Sequence, residues 1–325
     1  MASPSETPKG NRRMEASAAS VIVDWGTTSF RGTLVSADAG VLDHLETGQG
    51  ISTLSKGEHE AVLMGALGPW FERHGALPVV ALGMITSRNG WIEVPYVPCP
   101  AGAAELGAGT TRLKLPNGSD LILFAGLTDP ARTPFPDVMR GEETQIVGFG
   151  LDRDMAIILP GTHSKWARVA DGRIAGFQTF VTGEVFALLM KHSFIARGAS
   201  KPPVDDPEAF RWGLAEARKT GAMLSLLFSA RTGGLAQKLS AEQLRSYVSG
   251  MVIGQEFRQA REAGWYVDGD QVAIVGNDGL NALYGIAADA FGLKVLEGRG
   301  EEAINGALAI LREALGWAAV HLDSV

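Results

Sequence analysis

The run Val21-Ile22-Val23-Asp24-Trp25-Gly26-Thr27-Thr28-Ser29-Phe30-Arg31 puts an acid at the end of a short apolar segment and follows it at once with small and hydroxyl residues. An aspartate so placed can hold a divalent cation directly or through water, and the N–H groups and hydroxyls of a tight glycine turn can receive phosphate oxygens. A second string, Leu159-Pro160-Gly161-Thr162-His163-Ser164-Lys165-Trp166, repeats the glycine–threonine pair after an apolar run and adds a lysine. A third, Met139-Arg140-Gly141-Glu142-Glu143-Thr144-Gln145, opens a helical pattern with two acids in its first turn, where the helix dipole favours negative charge with or without catalysis. Adjacent helical residues point about 100° apart, so only one of these glutamates readily faces a cleft. A carboxylate there can orient and deprotonate a hydroxyl for in-line attack on a phosphoryl group. Read singly, the strings are also compatible with plain structure, as Asx or Ser/Thr turns closing hairpins and as an ordinary helix start.

These residues need elements to hold them. Residues 21–23 and 31–35 read as two antiparallel strands around the glycine turn, with a further turn at 38–40. Helical spacing follows at 58–71 and a buried strand at 78–84, before a Gly- and Pro-rich stretch, 85–116, whose length suggests a functional or wrapping role. A strand at 121–124 precedes 137–150, a loop that becomes a short helix. Strands at 155–159, 166–169 and 173–179 flank the second glycine turn and repeat the opening arrangement, which points to duplicated lobes. The second half is rich in helix patterns, at 184–194, 207–220, 221–228, 241–264, 278–291 and 301–315, with strands at 272–275 and 294–296. Ser240 and Gln243 form a capping-box pattern ahead of an apolar face made by Leu244, Val248, Met251 and Val252. A mixed α/β chain with two lobes is the economical solution.

Composition narrows the classes. The 325 residues include 29 Lys+Arg against 36 Asp+Glu, a net charge of −7, one cysteine and 41 glycines. This length suggests two domains with cores large enough to need no staples. At 46% apolar the chain is not a disordered one, and its glycines follow no three-residue period, which excludes a collagen-like chain. The basic residues are scattered apart from Lys9, Arg12 and Arg13, so a nucleic-acid face is excluded and any anionic ligand must be attracted by local donors. Cys99, alone between Pro98 and Pro100, excludes an intrachain disulfide and a multi-cysteine metal site, and the six histidines form no zinc cluster. No apolar run reaches the roughly 18 residues of a membrane span. The opening MASPSETPKGNRRMEASAAS lacks the pattern of a secretory signal; residues 1–18 read as a disordered tail, and cytoplasm is the expected location. With no GxxxxGK[ST] string, and no GxGxxG after the first strand, phosphates are expected to be held between two hairpins.

Together, VDWGTTSFRGTL, GMITSRNGW, MRGEETQIVG, LPGTHSKWARV and FVTGEVFALL resemble the 2-dehydro-3-deoxygalactonokinase family, a branch of the actin-like ATPase superfamily that includes many sugar kinases. The resemblance runs from Val21 to the C-terminus. It implies a two-lobed actin-like ATPase (ribonuclease H-like) α/β fold with a mixed sheet and flanking helices in each lobe, the lobes spanning 19–150 and 151–325. It also implies phosphorylation of the C6 hydroxyl of 2-dehydro-3-deoxy-D-galactonate by ATP with Mg²⁺, in galactonate or galactose catabolism.

By position, Asp24 would coordinate Mg²⁺ or its water shell, and Trp25, Gly26, Thr27 and Thr28 would form the first phosphate motif. Gly161, Thr162, His163, Ser164 and Lys165 would form the second, and Gly276, Asn277, Asp278 and Gly279 the adenosine side. The helix before the second phosphate motif is also similar in layout to exopolyphosphatase-like relatives, whose catalytic glutamate lies there; Glu142 is the first choice as base, with Glu143 and Asp137 behind it. For the sugar acid, Arg31 and Arg88 are expected at its carboxylate and Ser87, Asn89 and Glu184 at its hydroxyls. Trp91 either lines the sugar site or packs the long loop. The implied partners are ATP and a small sugar acid, without nucleic acid or membrane, and a homodimer is compatible with this. The alternatives are another sugar or sugar-acid kinase, a phosphoanhydride hydrolase on the same fold, and a regulatory protein that binds ATP or sugar without turnover. The glycine excess is expected to serve phosphate turns at Gly26, Gly161 and Gly276 and helix packing at Gly250 and Gly254.

Overall fold

Side chains alternate across a strand, so a strand apolar at nearly every position must be covered on both faces. β1 (Ala18–Trp25) shows this, with Val21, Val23 and Trp25 in one core cluster and Ile22 in another. The computed structural model describes residues 18–219, 221–298 and 302–316. Of the tail read over 1–18, all but Ala18 lies outside the described residues, as do Lys9, Arg12 and Arg13.

β2 (Phe30–Ser36) and β3 (Val41–Thr47) continue antiparallel from β1. After α1 (His59–His74), β4 (Val79–Leu82) returns parallel to β1, with Asp24 opposite Leu82. The stretch that lacked periodicity holds β5 (Val97–Pro98), α2 (Ala103–Ala108) and β6 (Thr111–Lys114), each too short for a pattern to register. β7 (Asp120–Leu123) pairs parallel with β4, giving a six-stranded sheet in the order β3-β2-β1-β4-β7-β6. β8 (Leu127–Asp129) and β9 (Asp137–Met139) join β5 in a small third sheet, and α3 (Glu142–Phe149) follows.

The pattern then repeats. β10 (Met155–Leu159), β11 (Ser164–Ala170) and β12 (Arg173–Phe180) are antiparallel neighbours. Four helices follow: α4 (Thr182–His192), α5 (Pro207–Lys219), α6 (Met223–Leu235) and α7 (Ala241–Glu262). β13 (Gln271–Ile274), α8 (Asp278–Ala290), β14 (Lys294–Glu297) and α9 (Glu302–Leu315) complete the described chain. The second sheet runs β12-β11-β10-β13-β14, with β13 parallel to β10 and β14 parallel to β13. Strand for strand this repeats β3-β2-β1-β4-β7, so the two hairpins containing the glycine turns occupy equivalent places. Among the described residues, no helix is long and apolar enough to cross a membrane.

One core joins the halves. Ile22, Val80 and Ile122 of the first sheet share a cluster with Ile157 and Ala273 of the second, and Ile146 of α3 and Leu311 of α9 lie in it too. Across the division expected after residue 150, α9 returns to pack on α3 and α2. Gly148 and Gly306 permit that crossing: a side chain on Gly148 would meet the Glu302 carbonyl, and one on Gly306 the Thr144 carbonyl. Gly250 and Gly254 let α7 approach α5 in the same way. The α7 start has its capping box, with Ser240 Oγ accepting from Gln243 N at 3.3 Å and Gln243 Oε1 accepting from Ser240 N at 3.2 Å.

Candidate active site

The parallel strands β1 and β4 end side by side, which brings Asp24 to the segment just after Leu82. Gly83 has a positive φ of 86°, and a Cβ there would stand 2.9 Å from Asp24 Oδ1, so glycine leaves room for the carboxylate. Gly141, with φ of 108°, backs onto Gly83 and starts α3 at the same place. Burial raises the Asp24 pKa, Arg31 opposes the rise, and the charge of Glu142 adds to it. Arg31 Nη1 lies 3.7 Å from Asp24 Oδ2, while its Nε pairs with Glu46 at 2.9 Å. Arg31 thus faces the cleft, but with two acids already beside it.

The turn between β1 and β2 is closed by Gly26 N donating to Ser29 O at 2.9 Å. Ser52 buttresses it, its N and Oγ both donating to the Thr27 carbonyl. Thr27 and Thr28 remain exposed. Trp25 does not: its ring is fully buried against Phe30 and its Nε1 donates to Gln49 O at 2.8 Å, so only its backbone belongs to the turn.

The two adjacent glutamates of α3 part company. Glu142 Oε1 forms an ion pair with Lys165 Nζ at 3.0 Å, and Glu142 Oε2 accepts from Arg140 N at 3.1 Å. Lys165 is itself buried and also donates to His163 O at 2.9 Å, so the pair links α3 to the second glycine turn. Glu143 turns inward, its two oxygens at 2.9 and 2.7 Å from Gly141 N. Burial, with the Glu142 charge second, pushes its pKa up to about 8. Asp137 is committed elsewhere: its oxygens accept from Thr179 N at 2.6 Å and Thr179 Oγ1 at 2.8 Å, tying β9 to β12. That link occupies the carboxylate of the last-named candidate base.

Across the cleft, Gly161 and Thr162 meet the start of α4. Glu184 N donates to Thr162 O at 3.0 Å, and Gly183 packs against the Gly161 carbonyl. His163 Nε2 and Glu184 Oε2 are 2.6 Å apart, both half-exposed. Glu184, expected at acceptor hydroxyls, is therefore placed on the second glycine turn. Ser164 points the other way and is fully buried. At the end of β13, Gly276 packs on Pro160, and Asn277 caps α8 by accepting from Leu280 N at 3.0 Å. Asp278 and Gly279 are exposed on the first turn of that helix, where backbone N–H groups lack helical partners.

The segment expected to hold the sugar acid sits beside Asp24. Ser87 Oγ donates to Met84 O at 2.7 Å, while Arg88 and Asn89 are exposed at its tip. Trp91 stacks on His59 with ring centres 6.1 Å apart and packs on the first-sheet core, which favours loop packing over sugar contact. Arg140, inside a quoted motif but not weighed as a site residue, ties this loop to α3: its Nη atoms donate to Thr86 Oγ1 at 2.7 Å and Val94 O at 2.9 Å. Its guanidinium also covers the Tyr96 ring at 4.4 Å.

Two cavities adjoin the second turn. One of about 480 Å³ is polar and is lined by Arg31, Glu142, Gln145, Gly161, Thr162, His163, Gly276 and Asn277, among others. The other, about 190 Å³ and mostly apolar, runs from Gly161 between α4, α5, α7 and α8, past Phe186, Phe210, Ile253, Leu283 and Tyr284. Sequence reading missed this second cavity because its residues lie on four helices, and an apolar helical face looks alike whether it meets core or cavity.

A duplicated sheet pair, with glycine turns and an acid–lysine pair facing one cleft, is an arrangement suited to a phosphotransferase. The comparisons narrow the class. The sequence profile of the 2-keto-3-deoxy-galactonokinase family matches residues 24–311. A Rhizobium meliloti (strain 1021) protein named as a 2-dehydro-3-deoxygalactonokinase is 34% identical over 299 residues, covering 90% of this chain and 96% of its own. The Escherichia coli (strain K12) protein of that name is 31% identical over 297 residues, covering 91% and 98%. A Sinorhizobium meliloti crystal structure named for the same activity superposes with a TM-score of 0.81 at 33% identity, covering 92% of this chain and 100% of that one. The chain belongs to the 2-keto-3-deoxy-galactonokinase family and is a sugar-acid kinase of that family.

Proposed function

We propose that the protein transfers the γ-phosphoryl group of ATP to the C6 hydroxyl of 2-dehydro-3-deoxy-D-galactonate, giving the 6-phosphate, with Glu142 as the base. The observation that carries the assignment is the placement of Glu142 at the N-terminus of α3, beside Asp24, with Lys165 at 3.0 Å. Its carboxylate accepts the proton of the acceptor hydroxyl as that oxygen attacks in line. Lys165 keeps this carboxylate fixed, and lies where it can shift toward a phosphoryl oxygen as negative charge redistributes. Backbone N–H groups around Gly26–Thr28 and Gly161–Thr162 hold the phosphates from opposite hairpins. The apolar cavity next to Gly161 suits the base and ribose, with the exposed start of α8 at its mouth. The acceptor then lies on the Asp24 side, near the loop carrying Ser87, Arg88 and Asn89.

Mg²⁺ fits the acids on this side. Glu142 is close enough for its charge to disfavour that of Asp24, which a cation relieves. Among the described residues there is no group of three or more His, Cys, Asp or Glu that could cage a metal. One carboxylate completed by water and phosphate oxygens is the arrangement Mg²⁺ commonly takes in phosphoryl transfer. Asp24 would hold it, directly or through water, and the bound ion would neutralise charge on the transferring phosphates.

Glu142→Gln tests the role of the base. The variant should lose on the order of 10²- to 10⁴-fold in kcat while binding ATP within a few-fold of the parent, measured by calorimetry beside steady-state kinetics. Near-normal turnover would remove Glu142 as the base.

A further inference from the structure

Beneath the second glycine turn lies a buried acid that the transfer itself does not use. Glu256 is on the inner face of α7 and is 2% exposed. Its Oε1 accepts from Ser164 Oγ at 2.7 Å and from Trp166 Nε1 at 2.8 Å, both on β11 directly after the turn. Its Oε2 accepts from Tyr284 Oη at 2.6 Å, on α8. The Thr182 hydroxyl, on the first residue of α4, lies near the same carboxyl group and favours its charged form.

The groups around Glu256 come from the three elements that frame the nucleotide end of the cleft. Thr182 and Tyr284 line the apolar cavity. The two residues after Thr182 touch the turn, Gly183 against the Gly161 carbonyl and Glu184 through its N–H to Thr162 O. Leaving a buried acceptor of this kind unpaired costs about 1–3 kcal/mol, and more when it is charged. Glu256 is thus fully satisfied only when β11 and α8 hold one mutual arrangement, with the start of α4 packed beside them. An apolar residue at this place would fill the space but leave the Trp166 N–H, which can only donate, without a partner.

We infer that Glu256 is a positioning residue for the nucleotide, one carboxylate that locks the second phosphate turn, the start of α4 and the adenosine helix α8 into the arrangement that binds ATP. The inference rests on the nucleotide site proposed above and deepens it, since no residue outside the cleft has been given a part in ATP affinity. Glu256 acts through Ser164, Thr182, Trp166 and Tyr284, not by contact with ATP.

The test uses Glu256→Gln, because the amide can keep its oxygen toward Ser164 and Trp166 and turn its NH₂ toward Tyr284 and Thr182, whose hydroxyls can accept. That variant should fold, with the amide's hydrogen bonds in place of those the carboxyl group makes. The expected result is a KM for ATP raised about 5- to 30-fold, the range that a loss of one to two kcal/mol produces, with the KM for the sugar acid within about twofold. Tyr284→Phe should raise the ATP KM less, and the double variant should fall short of the product of the single effects because both act through one network. A role in stability alone predicts a lower melting temperature and a smaller active fraction with an unchanged ATP KM, and that result overturns the inference. MgATP binding to folded protein is measured in parallel by calorimetry. If the parent binds MgATP but transfers nothing to the sugar acid, the kinase reading fails while Glu256→Gln still decides this one: weakened binding supports it, and undiminished binding overturns it.

Discussion

At the scale of single residues, the neighbouring acids of α3 carry opposite consequences. A rotation of about 100° per residue sends Glu142 to Lys165 and Glu143 into the core, where the Gly141 N–H meets both its oxygens. With its pKa pushed to about 8, Glu143 keeps a proton in the folded chain that it would release on unfolding near neutral pH. The folded state therefore binds more protons than the unfolded one between the ordinary glutamate range and about pH 8, and stability falls as pH rises through that window. Glu143→Gln, which stays neutral throughout, should flatten the dependence of melting temperature on pH between about 5 and 8 and gain on the parent at the upper end. Parallel curves for the two proteins would show that Glu143 does not titrate in this way. The sequence indicated that one of the two acids would face the cleft; which one depends on how α3 packs against α9, a contact between residues more than 150 positions apart that no local pattern carries. The tie of Asp137 was not legible for a related reason, since its partner Thr179 belongs to a distant strand.

At the scale of elements, the site depends on helices crossing at glycines. A methyl on Gly306 would strike the Thr144 carbonyl of α3, two residues from Glu142. Gly306→Ala should cost about 1–3 kcal/mol by overpacking, and should lower kcat more than it raises either KM, because the strain falls on the helix that holds the base. Gly285, in α8, has open space where its Cβ would be. Gly285→Ala should be neutral or gain up to about 1 kcal/mol from helix propensity. Thermal melts and kinetics of the pair check this; equal stabilities would mean the α3–α9 crossing is looser than described. The long periodic elements and the capping box at Ser240 were legible because each announces itself within a few turns. The pieces between residues 85 and 116 were not, since β5 has two residues and α2 six. Their order comes from long-range ties such as Arg140 to Thr86 and Val94.

At the scale of the whole molecule, the repeated strand-turn-strand strings foreshadowed two sheets of matching order, and the structure shows β3-β2-β1-β4-β7 and β12-β11-β10-β13-β14. What local strings could not convey is that α3 and α9 share one core with both sheets, or that four separate helices enclose an apolar cavity beside Gly161. The residues supply the chemistry of a kinase, and kinship with the 2-keto-3-deoxy-galactonokinase family supplies the acceptor. That acceptor is open to direct measurement. Purified protein with MgATP is offered a panel of 2-keto-3-deoxy sugar acids, with ADP release followed by a coupled assay and the phosphorylated position read by NMR. The predicted result is ADP release that requires 2-dehydro-3-deoxy-D-galactonate and yields its 6-phosphate. ATP binding without acceptor-dependent ADP release, or phosphate freed to water at the same rate with and without the sugar acid, would contradict it.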